Sequence, residues 1–77
     1  MKLTEAQIEI MKEDMSIELI SLIMQKWHCS MEEAMDALYN SDTFSRLEDS
    51  RTGLYYQSPG YVYSFLDKEL ASGSYKE

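Results

Sequence analysis

The sequence predicts an all-α fold, a small bundle of three to four helices with a long first helix. Three observations predict it. Two capping boxes, Thr4-Glu5-Ala6-Gln7 and Ser30-Met31-Glu32-Glu33, each stand at the head of an apolar pattern. Apolar residues recur at three- and four-residue spacing along most of the chain. Only one short segment, near residues 54–57, has extended propensity, and a lone strand has nothing to pair with. Seventy-seven residues make one domain.

The first helix opens at Thr4 and runs to about Trp27. Two apolar stripes lie on it. Ile8, Met11, Met15, Leu19 and Leu22 form one; Ile10, Ile17, Ile20, Met24 and Trp27 form the other. At about 100° per residue the stripes fall on nearly opposite sides. Glu5, Glu9, Lys12 and Glu13 fill a polar side early in the helix. A helix apolar on two sides needs cover on two sides. Either a second copy of the protein meets one stripe, or the helix breaks near Asp14 to Ser16 into a peripheral piece and a core piece.

The second helix spans Ser30–Tyr39, with Ser30 as cap and Glu33 reciprocating. Glu32 and Glu33 suit the positive end of its dipole. Met31, Ala34, Met35 and Leu38 define one apolar face, and Asn40 suits a left-handed terminus. Ser41 caps a short third helix whose buried candidates are Phe44 and Leu47. Glu48 to Gly53 is turn-rich. Ser58-Pro59 opens a last helix with proline at its first position, where the missing amide does no harm. Val62, Phe65, Leu66 and Leu70 mark its inner face, and it ends near Ala71-Ser72-Gly73. Residues 74–77 are expected to fray.

Composition narrows function. Fourteen acids against seven bases give a net charge of −7. The bases never cluster; Arg46 and Arg51 are the closest pair. Phosphate binding needs a concentrated positive surface, so nucleic acid is not an expected partner, and an anionic membrane is disfavoured for the same reason. No signal-peptide pattern opens the chain, and Ile17 to Met24 is too short to span a bilayer. The single cysteine cannot form an internal disulfide, which fits a reducing cytoplasm. Cys29 reads as a small buried residue. His28 and Cys29 are adjacent and do not face one another, while Glu32 and Glu33 oppose a thiolate. One His and one Cys with scattered carboxylates match no zinc spacing, and no calcium or phosphate loop is present. No catalytic, metal or cofactor residue is assigned, and no enzyme activity is expected.

The candidates that remain are surfaces for a protein partner or a homodimer. Four of six tyrosines, Tyr55, Tyr56, Tyr61 and Tyr63, fall in one short block beside the only proline. A ring with one polar handle suits an interface, though such rings can also close a core poor in Leu and Phe. Ile10, Ile17, Met24 and Trp27 mark the second stripe of the first helix. Six methionines are many for this length. They read first as core filling, and alternatively as an adaptable groove for a partner helix. The acid excess supports a second function class, an acidic regulatory accessory that binds a basic protein.

The run Met31 to Ser41, then Phe44 and Leu47, then Thr52-Gly53-Leu54-Tyr55-Tyr56-Gln57-Ser58-Pro59 and Tyr61-Val62-Tyr63 resembles a family of small uncharacterised bacterial helical proteins of the gut Firmicutes and Bacteroidetes type. The resemblance covers about residues 16–70. It implies a cytoplasmic bacterial protein and supplies no activity. Proteins of that kind often lie beside toxin-like or mobile-element genes, which implies an antitoxin-like or accessory role. A fainter likeness, over Ser30–Leu38, is to ubiquitin-associated three-helix modules.

Overall fold

The computed structural model describes residues 2–72. Four helices follow in order: α1 Glu5–Trp27, α2 Met31–Tyr39, α3 Asp42–Glu48 and α4 Pro59–Ser72. Two 3-10 turns, Ser50–Thr52 and Leu54–Tyr56, join α3 to α4. The expected end of α4 at Gly73 and the frayed residues 74–77 lie outside the described residues. The molecule measures 39 × 20 × 18 Å. Twenty-three residues of helix reach about 34 Å, so α1 is the spine, and α2 and α4 pack on it.

Both capping boxes form. Thr4 Oγ1 accepts from the Gln7 amide at 3.1 Å, and Gln7 Oε1 accepts from the Thr4 amide at 2.8 Å. Ser30 and Glu33 exchange the same pair at 3.1 and 3.0 Å. Helix α1 runs unbroken through Asp14 to Ser16, which excludes the two-piece alternative. Ser16 sits inside it by donating its hydroxyl to the Lys12 carbonyl at 2.9 Å, so its polar group is satisfied within the helix. The helix stops where His28 takes a left-handed conformation, φ 51° and ψ 48°.

The core gathers Met15, Leu19 and Ile23 of α1, Ala34, Ala37 and Leu38 of α2, Leu47, Leu54, and Val62, Tyr63, Leu66 and Leu70 of α4. The first α1 stripe is therefore the inward one, and Ile23, which the spacing left out, joins it.

Lys12 corrects the expected polar side of α1. It is 5% exposed, and its ammonium donates to the Glu48 carbonyl at 2.7 Å and to Glu9 Oε2 at 3.3 Å. A long stem packs while its charge meets the negative end of α3. The other end of α3 is held by α4. Glu69 Oε1 accepts from the Thr43 amide at 3.0 Å and the Thr43 hydroxyl at 2.8 Å, and Glu69 Oε2 accepts from the Asp42 amide. Ser41 Oγ takes the Phe44 amide at 3.0 Å. Seven residues make a weak helix alone. Opposite charges at its two ends, from α1 and α4, match its dipole and fix it in the bundle.

Three further expectations change. Asn40 is not left-handed (φ −99°); its side-chain amide donates to the Asp36 carbonyl at 2.8 Å and satisfies the end of α2 that way. On α4, Tyr63 is buried and Phe65 is 36% exposed, so the inner face is turned toward Tyr63. Residues 54–56 form a 3-10 turn rather than an extended segment. No strand lies beside them among the described residues, so local bonds serve instead: Tyr56 amide to Gly53 carbonyl at 3.3 Å, and Gln57 amide to Leu54 carbonyl at 3.1 Å. Gly53 turns the chain into it with φ 72°, and a Cβ added there would stand 2.8 Å from the Tyr56 hydroxyl oxygen.

Candidate functional site

Helix α2 packs on α1, and its small residues Ala34 and Ala37 are buried on its inner face. That orientation sends the next row of α2, at i, i+4 and i+8, to the edge of the contact. The row is Met31, Met35 and Tyr39, with exposures of 58%, 36% and 48%. Facing it across an open groove stand Ile17, Ile20, Ser21 and Met24 of α1. The lining is almost wholly apolar, and Ile17 is 65% exposed. Large apolar side chains concentrated in one place on a small domain mark a contact surface more often than scattered ones do.

The groove has two unlike ends. Because α1 and α2 run in opposite directions here, Met24 lies near Met31 while Ile17 lies near Tyr39. At the Tyr39 end the wall continues over Phe44, whose ring meets Tyr39 edge-on with centroids 5.0 Å apart. Glu9, Glu13 and Glu48 border that end. Lys12 lines the same end and pairs with Glu9 at 3.3 Å, which leaves the carboxylates of Glu13 and Glu48 in excess. The C-terminus of α2 adds the negative end of its dipole there.

The sequence candidates separate in the fold. Ile17 and Met24 come together in the groove. Ile10, 56% exposed, continues the same stripe two turns toward the N-terminus. Trp27 lies elsewhere, bordering a hollow with Ile23, Cys29, Glu33, Asp36, Ala37 and Leu70. Its indole Nε1 donates to the Tyr63 hydroxyl at 3.2 Å, and that hydroxyl donates to Asp67 Oδ1 at 3.2 Å. Tyr63 is 6% exposed and belongs to the core, which corrects its reading as an interface residue. Burial pushes its hydroxyl above the ordinary tyrosine range; the Asp67 carboxylate adds to this, and the Trp27 hydrogen bond opposes it.

The remaining tyrosines do not make one face with Tyr63. Tyr55 is half-buried and meets the exposed Tyr56 ring edge-on at 5.2 Å. Tyr61, 51% exposed, pairs edge-on with Phe65 at 5.1 Å, beside Thr43, Arg46 and Leu54. Tyr56 and Tyr61 are thus the exposed rings of the block.

Met31 and Met35 are the surface residues that the apolar spacing of α2 places on its inner face. The signal that finds them is residue size: the buried positions of α2 include its two alanines, and the methionines fall to the flank. Cys29 is half-buried, and its Sγ lies 3.9 Å from the Ile23 carbonyl oxygen, a structural contact. Among the described residues no three metal-ligating side chains gather, and no helix is long and apolar enough to cross a membrane. The chain matches no family model, no curated protein and no solved structure.

Proposed function

We propose that this chain is a cytoplasmic, non-enzymatic protein-interaction module whose binding face is the groove between α1 and α2. The observation that carries the reading is the contrast between Leu19 and Ile17. Two residues apart on one helix, they are 0% and 65% exposed. The core encloses Leu19, with Ile20 and Met24 of the second stripe packed partly against it, and Ile17 is left open to another molecule. Covering Ile17 alone is worth on the order of 1–2 kcal/mol. Methionines on both walls give a surface that can repack around a partner side chain.

A second reading, the antitoxin-like accessory that binds a basic protein, draws on the net charge of −7 and on the carboxylates at the Tyr39 end. It places the partner on the same face. The resemblance to small bacterial helical proteins supports the cytoplasmic setting of both.

The test is affinity capture from lysate of the native host, comparing the wild-type chain with Ile17→Gln/Met31→Gln/Met35→Gln. Glutamine keeps helix propensity and volume while removing apolar surface. A stoichiometric protein held by the wild type and lost by the variant, with the thermal midpoint unchanged, is the expected result. A partner retained equally by both would place the binding face elsewhere and overturn the reading.

A further inference from the structure

We infer that the occupant of the α1–α2 groove is a basic amphipathic helix, seated with its cationic turn at the Tyr39 end. This rests on the groove being the binding face, and it adds the chemistry and direction of the partner. The walls are two helices with a channel of apolar side chains between them, the form that accepts one apolar face of a third helix. From Glu13 to Met24 the channel runs about 17 Å, the rise of roughly three helical turns.

Charge selects the partner. Glu13 and Glu48 border one end and only apolar side chains and Ser21 border the rest. Lys12 lines that end as well and pairs with Glu9 at 3.3 Å, so one cation stands against the three carboxylates of Glu9, Glu13 and Glu48 and the end stays net negative. A partner bearing Lys or Arg on one terminal turn meets that field; one bearing acids is repelled. The same field disfavours a second copy. Helix α1 carries Glu5, Glu9, Glu13, Asp14 and Glu18 against Lys12 and Lys26, so pairing two such surfaces brings mainly like charges together.

The probe is a hydrocarbon-stapled helix of about twelve residues, with Leu on one face and lysines on one terminal turn. A second peptide carries Glu in place of those lysines. Both carry a nitroxide at the charged end and are titrated into the full chain labelled with 15N. The expected result is saturable shifts at Ile17, Met24 and Met35, nitroxide broadening at Glu13 rather than Met31, and about tenfold weaker binding of the Glu peptide at low salt. Glu13→Gln/Glu48→Gln is expected to erase that preference while the Leu face still binds. Equal binding of the two peptides, broadening at Met31, or no saturable shift in the groove each overturn the inference. A dimer in sedimentation equilibrium that Ile17→Gln dissociates also overturns it, by giving the groove to a second copy. That result leaves the interaction-module reading standing, since the capture experiment alone decides that.

Discussion

The ammonium of Lys12 reaches the carbonyl oxygen of Glu48 at 2.7 Å, joining α1 to the end of α3 across thirty-six positions of sequence. A charged donor on a backbone carbonyl is among the stronger hydrogen bonds, and this one is partly shielded from solvent. Lys12→Met keeps most of the stem and removes the charge. It is expected to cost about 1–3 kcal/mol in urea unfolding. Lys12→Arg, whose fork cannot reproduce the single contact, should recover only part. A Met variant as stable as wild type would show that the contact contributes nothing.

At the opposite end of α3, Glu69 acts as a cap supplied by another helix. Glu69→Ala is expected to lower stability by about 1–2 kcal/mol, in the range of a lost N-cap. Amide exchange gives the local signature: Asp42 and Thr43 amides should lose protection before those of α2. Uniform loss of protection would mean that Glu69 supports the bundle as a whole rather than the start of α3.

Gly53 combines two constraints that a double-mutant cycle separates. Its φ of 72° disfavours any side chain, and an added Cβ would stand 2.8 Å from the Tyr56 hydroxyl oxygen. Gly53→Ala is expected to cost about 1–3 kcal/mol. With Tyr56→Ala already present the cost should fall toward about 1 kcal/mol, the backbone share alone. Additive costs in the two backgrounds would remove the ring from the account.

Tyr63 gives an alkaline dependence whose sign follows from its burial. The unfolded tyrosine loses its proton near pH 10, and the folded one holds it to higher pH. The stability this group contributes is therefore whole below about pH 10 and is lost as pH rises through the folded value. Tyr63→Phe should be less stable than wild type at pH 8, having lost the Trp27 and Asp67 contacts. The gap should narrow by pH 11, measured by urea unfolding at each pH. A constant gap would show that Tyr63 titrates alike in the folded and unfolded chains, so that burial does not raise its pKa.

Much of the helix layout was readable in local chemistry. Thr4, Ser30, Ser41 and Ser58 each precede their helix, and their hydroxyls accept the amides that the first turn leaves open. Such contacts span three residues, so the sequence carries them entire. The surface was readable only in part. Ile17 and Met24 were identified because one helix cannot turn two opposite stripes into one core. Spacing puts Met31 and Met35 on an inner face and the structure exposes them, because spacing finds an apolar face without finding its centre.

The amino-acid sequence by itself determined the helical class, where the helices start, the acidic charge and the presence of a surplus apolar stripe. These depend on neighbours three or four residues apart. Tertiary structure alone decided which stripe faces inward, why α3 persists, and where the surplus surface becomes a groove. Those outcomes rest on α2 packing on α1 with Ala34, Ala37 and Leu38 buried, and on Lys12 and Glu69 reaching α3 from distant parts of the chain. Close packing and long-range charge contacts are set by three-dimensional distance, which one-dimensional spacing does not contain.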